Sequence, residues 1–150
     1  MQAIATELEE VINKHITELR TIPEAEMSFK PSPAKWSKRE ILGHLIDSAQ
    51  SNIRRFIVGQ YEEVPKIGYK QDQWVAITNY QHYPLADIVE LWYLLNKHII
   101  AILRNTSAEN AQRKVQTEKL NTIEWLAKDY IHHLLHHLHQ VMSLESVAYP

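Results

Sequence analysis

The chain has 150 residues, 45% of them hydrophobic, with a net charge of -2 and no cysteine. That length fits one domain, 1–150, with apolar material enough for a sizeable core. The lack of cysteine excludes disulfides, thiolate metal sites and a cysteine nucleophile. The balanced charge, with no basic block beyond Lys38-Arg39 and Arg54-Arg55, gives no support to nucleic-acid or anionic-membrane binding.

Gly numbers 3 and Pro 6, so breakers are few, and the long periodic stretches favour an all-α protein. The opening segment, MQAIATELEEVINKH, is acidic and amphipathic, unlike a signal peptide. No apolar run approaches the roughly 20 residues of a membrane span. The expectation is a soluble, cytoplasmic domain.

The first helix is expected from about Ala3 to Arg20, with Ile4, Leu8, Val11, Leu19 and Ile22 on one stripe and His15 within it. Three prolines make the segment Pro23 to Trp36 a loop. The second helix starts at Ser37, where Glu40 completes a capping-box signature, and runs to about Gln60. Ile41, Leu42, Leu45, Ala49, Ile53 and Phe56 form its apolar arc. Gly43 inside it costs about 1 kcal/mol against Ala unless a neighbour packs closely there.

Glu62 to Pro84 reads as a long connection, with a short helix near Asp72–Val75. Connections of this length are often functional or cross a bundle end to end. The third helix follows Pro84, with Leu85, Ile88, Trp92, Leu95, Ile99 and Ile102 keeping a seam to about Arg104. Asn105 to Leu120 is polar, a crossing loop or a hairpin. The fourth helix is expected from near Asn121, with Glu124 three residues on, to about Val147. Four amphipathic helices in one domain of this size make a four-helix bundle.

The fourth helix carries five histidines in the stretch YIHHLLHHLHQV. At 100° per residue, Ile123, Leu126, Tyr130, Leu134, Leu138 and Val141 define its apolar arc. His133 and His137 lie at the edge of that arc, in line with Leu126 and Leu144. His132, His136 and His139 fall on the polar side with Lys128 and Ser143. An i,i+4 histidine pair can chelate a divalent metal. For His133/His137 that reading stands level with two rim histidines satisfied by hydrogen bonds. The equally spaced His132/His136 is better read as a solvated face.

A metal would need a third ligand, from His15, His44, His82 or His98. His15 reads as a satisfied core histidine, His82 falls in a loop and His98 lies off its seam. Periodicity permits His44 without burying it.

The stretch WSKREILGHLIDSAQSNIRRF, Trp36 to Phe56, resembles the second-helix signature of the DinB-like (damage-inducible) superfamily. Its marks are a Trp-Ser start, a Glu, then His-Leu-x-Asp-Ser with a downstream Asn and Arg. His133-x-x-x-His137 followed by Gln140-Val141 resembles the family's second block. QDQWVAITNY and LWYLLNKHI look like its middle section, so the resemblance spans most of the chain. It implies a four-helix bundle with a three-histidine site for one divalent metal, nickel or zinc, on His44, His133 and His137.

It further implies a homodimer and a metal-dependent enzyme on a small molecule. That enzyme is either an S-transferase using a low-molecular-weight thiol such as bacillithiol or mycothiol, or a hydrolase. The alternative is a non-catalytic metal- or ligand-binding bundle. Asp47 matches the family's His-x-x-Asp position and is more readily a structural pairing than an orienting partner for His44. Asn52 and Arg55 continue the His44 side and are candidate pocket residues, as is Asn96, the odd polar residue on the third helix's seam.

Overall fold

A computed structural model of the protein describes residues 1–149. Four long helices form the bundle: α1 (Gln2–Leu19), α3 (Lys38–Val58), α5 (Leu85–Asn105) and α7 (Ile123–Val141). Between them lie the short helices α2 (Glu24–Ser28), α4 (Gln71–Thr78) and α6 (Ala108–Ala111). The strands β1 (Lys114–Gln116) and β2 (Leu120–Thr122) form an antiparallel hairpin, with Val115 opposite Asn121. No described helix is long and apolar enough to cross a membrane.

Helix α3 is the centre of the bundle. It packs against α5 on one side and α7 on the other, while α1 lies against α5. It starts where the capping signature places it: Ser37 Oγ accepts from the Glu40 N–H at 3.2 Å, and Glu40 Oε2 accepts from the Ser37 N–H at 2.7 Å. The two bonds satisfy two of the backbone donors a helix start leaves free.

Gly43 has its close neighbour. A Cβ there would lie 2.2 Å from Cδ2 of Tyr80, whose ring fills the space a side chain at position 43 would take. The Tyr80 hydroxyl reaches one turn further and donates to Asp47 Oδ1 at 2.6 Å. The long connection is thus pinned to α3 by a Gly–Tyr–Asp contact. Arg39 adds to it by donating to the carbonyls of Gln81 at 3.1 Å and Tyr83 at 2.8 Å.

Three local expectations change. The proline-rich segment holds the short helix α2, which buries Met27. The cap of α7 is Thr122, the last residue of β2, which accepts from the Trp125 N–H at 3.1 Å, one position after Asn121, which pairs with Val115 within the hairpin. Finally, α7 stops at Val141 rather than near Val147. Ser143 takes a left-handed backbone (φ 55°) and turns the chain out of the helix. The following residues double back along α7, where His139 Nδ1 donates to the Glu145 carbonyl at 2.7 Å and His136 Nδ1 to that of Val147 at 2.5 Å.

The apolar arc of α7 is buried along its length. The polar seam residue of α5 is buried too. Asn96 accepts from the Tyr130 hydroxyl at 2.7 Å and donates to the Trp92 carbonyl at 2.8 Å. It joins α5 to α7 inside the core and does not line the cavity described next.

Candidate metal centre

Helices α3 and α7 bring His44, His133 and His137 together. One ring nitrogen from each lies within 4.8 Å of the others, a group that could hold a metal ion. His44 Nε2 and His133 Nε2 are 3.0 Å apart. Ring centroids are 5.0 Å apart for His44–His133, 4.9 Å for His44–His137 and 4.6 Å for His133–His137. Nitrogens bound about 2.05 Å from a tetrahedral ion are roughly 3.3 Å apart, so a small opening of the contact between His44 and His133 would suit such an ion.

The site's electrostatics favour lone pairs over protons. Burial, then the neighbouring His137, lowers the His44 pKa to about 4. Burial and the adjoining imidazoles lower that of His133 to about 3. Burial lowers His137 as well, partly offset by its bond to Gln140. All three are therefore neutral near pH 7, the state in which imidazole ligates.

The doubled-back tail fixes one of the tautomers. A carbonyl only accepts, so the bond to Val147 puts a proton on His136 Nδ1. Its Nε2 then accepts from the Gln140 amide at 2.9 Å. That turns the Gln140 oxygen toward His137 Nδ1, 3.0 Å away, which must carry its proton. His137 Nε2 is left bare. This chain of bonds orients a candidate ligand as partners of metal-bound histidines do. The Ser48 hydroxyl lies 3.4 Å from His133 Nδ1. His44 Nδ1 is buried with no partner, and the Trp36 ring lies beside that imidazole at 5.2 Å. Converging neutral donors, with two of the far nitrogens engaged, fit a divalent ion.

His133 and His137 open onto a cavity of about 1160 Å³ between α3, α7, the hairpin and the connection before α4. Asn52 and Arg55 line it. Asp47 does not, and makes no hydrogen bond to His44. One oxygen accepts from Tyr80, the other is buried without a partner, and burial raises its pKa to about 6 despite that bond. His15 is buried, His82 bonds to Asn79 at 3.0 Å and His98 is exposed.

Tyr149 in the tail is a site residue that periodicity could not find. Its ring packs 5.3 Å from that of His133, and its hydroxyl lies 3.1 Å from each Asp129 oxygen. Ser48 was findable, standing four residues from His44 on the same helix face. In the sequence Gln140 stands out only as part of the second histidine block.

The sequence model of the DinB superfamily matches residues 7–141. The chain belongs to the DinB superfamily. The chain also resembles the structure of YfiT from Bacillus subtilis, described as a probable metal-dependent hydrolase with an unusual four-helix bundle topology. The match has a TM-score of 0.73 at 21% identity and covers 95% of this chain and 87% of that one. At that identity the likeness shows the shared fold. No curated protein matches this DinB-superfamily chain.

Proposed function

We propose that this DinB-superfamily protein is a metal-dependent enzyme acting on a small molecule, with one divalent ion, nickel or zinc, held by His44, His133 and His137. The observation that carries the reading is the convergence of three neutral imidazoles from two helices at the wall of a large cavity. Three protein ligands leave a further position open, as in catalytic rather than structural sites, and an all-nitrogen donor set suits either ion. When bound, such an ion lowers the pKa of a coordinated water or thiol toward neutrality and polarises the substrate.

The protein's own residues prepare that chemistry. Burial holds the imidazoles unprotonated, and the Val147–His136–Gln140 chain turns His137 Nε2 inward. The rings of Trp36 and Tyr149 flank His44 and His133. The reaction is the transfer of a low-molecular-weight thiol to an electrophile, or a hydrolysis of the kind YfiT's description supports. A thiol co-substrate places the protein in the cytoplasm, where thiols stay reduced. The proposal extends to a homodimer, which sedimentation of the metal-loaded protein checks.

Metal analysis of the purified protein should give one equivalent of nickel or zinc, and the His133→Ala/His137→Ala variant far less. Equal, substoichiometric metal in both would sink the site. A screen of thiols, electrophiles and esters, with and without added metal, should reveal turnover that His44→Ala abolishes. Stoichiometric metal without turnover would assign the bundle to binding alone.

A further inference from the structure

We propose that Arg55 forms an anion subsite, so that the molecule taken by this cavity carries a carboxylate or phosphate remote from the atom that meets the histidines. The proposal rests on the reading of the cavity as a small-molecule site. It names the class of molecule.

His44, Ser48, Asn52 and Arg55 follow one another along α3 at helical spacing, so they share a face. Asn52 and Arg55 line the cavity together with His133 and His137. Eleven residues at the helical rise separate the levels of His44 and Arg55 by roughly 16 Å. Side-chain reach shortens that span: Arg55 Nη1 lies 3.3 Å from Asn52 Oδ1, Asn52 Nδ2 3.5 Å from Ser48 Oγ, and Ser48 Oγ 3.4 Å from His133 Nδ1, so the subsite calls for a molecule whose charge and reacting group are separated along this row of side chains.

Arg55 is poorly satisfied by the protein. Nε donates to the Ile67 carbonyl and Nη1 to Asn52 Oδ1, both at a long 3.3 Å and both to neutral groups. Nη2 has no partner among the described residues, and no described carboxylate pairs with the guanidinium. The arginines at positions 20, 39 and 104 all have such a carboxylate; of the other two, Arg54 is exposed and Arg113 donates to the Gly59 and Glu62 carbonyls at 2.9 and 3.0 Å. Burial acts on Arg55 strongly enough to oppose its charge. A part-buried cation that forms no ion pair is poorly compensated, and a ligand anion would offset that cost.

The other charges of the cavity do not compete. Asp129 acts on Arg55 through space and opposes the effect of burial, but it forms no ion pair with it, and both its oxygens accept from the Tyr149 hydroxyl. At the rim stand Lys70 and Lys119, with Asp72 and Glu118, all four exposed to water, which screens their charges. What remains is one planar fork facing the cavity, the geometry suited to two oxygens of one anion.

The test uses ω-mercapto acids of six and eleven carbons against the mercapto-alcohols of equal length. Each is titrated calorimetrically into metal-free and cobalt-loaded protein, with inorganic phosphate as competitor. The acid should bind about tenfold tighter than the alcohol at one length or both, in both metal states. Arg55→Met should bring that ratio close to one, with the acid's affinity falling more than the alcohol's, and Arg55→Lys should keep part of it. Competition by phosphate would extend the subsite from carboxylates to phosphates. An acid no tighter than its alcohol in wild type, or a preference that survives in Arg55→Met, overturns the proposal. The wild-type comparison decides even if Arg55→Met does not fold. A missing cobalt–thiolate band with the acid preference intact would instead count against the metal reading alone.

Discussion

Acid should destabilise the metal-free protein through the candidate ligands themselves. In the folded chain His44 titrates at about 4 and His133 at about 3, against 6.5 for an ordinary histidine. Between pH 7 and 5 the unfolded chain therefore takes up protons that the folded chain refuses, and stability falls as pH falls. At about 1.36 kcal/mol per unit, each histidine costs about 2 kcal/mol by pH 5, or about 4 for the pair. Both stay neutral in the folded state over this window, so their mutual repulsion does not enter.

Asp47 works the other way. Its folded pKa of about 6, raised from 3.8, lets the folded chain bind a proton that the unfolded one does not, which returns about 1.4 kcal/mol. The net loss is about 2–3 kcal/mol, a large share of a typical 5–15. Urea melts in a chelator should show the midpoint falling by about 1–2 M between pH 7 and pH 5. His15 and His137 are shifted in the same direction and are common to the control, the His44→Gln/His133→Gln variant. That variant should lose about 4 kcal/mol less over the same interval. Equal losses in the two proteins would refute the reasoning.

Gly43→Ala drives a methyl into the Tyr80 ring and frees Asp47, so a loss of about 2–4 kcal/mol is expected, read as a lower melting temperature. Tyr130→Phe leaves Asn96 Oδ1 without its donor in the core and should cost about 1–3 kcal/mol with metal content unchanged, measured by urea melts and metal analysis together. His136→Leu and Gln140→Ala each release the tautomer of His137 and should weaken metal binding by about 10–100-fold at near-normal stability. Competition with a chromophoric chelator measures this, and an unaltered affinity would mean that the chain of bonds has no part in the site.

The periodicity of the long helices made the bundle legible, and the Ser37–Glu40 capping box located the start of α3. The edge-of-arc position of His133 and His137 separated them from the three histidines beside them. His44 was harder, since α3 is surrounded by α2, α4, α5 and α7 and is buried on more faces than a two-sided wheel anticipates. The burial of Asp47 under Tyr80 has the same origin. The end of α7 was illegible because apolar residues at helical spacing, Val141, Leu144 and Ala148, run on past it, while the chain turns out of the helix at the left-handed Ser143. Tyr149 lies beyond that turn, where no spacing rule connects it to His133.

The separation of His44 from His133, 89 positions along the chain, bears on how metal should be introduced. In an unfolded chain His44 is joined to the other two only by closing that long loop, at an entropic cost. The pairs His132/His136 and His133/His137 are both available on any transient helical turn. Metal present during folding thus meets two competing chelates on the same segment, one of them in the wrong place. Once the tail is docked, Val147 occupies His136 Nδ1 and that competitor is weakened. Folding first and metallating afterwards should therefore yield the more uniform protein.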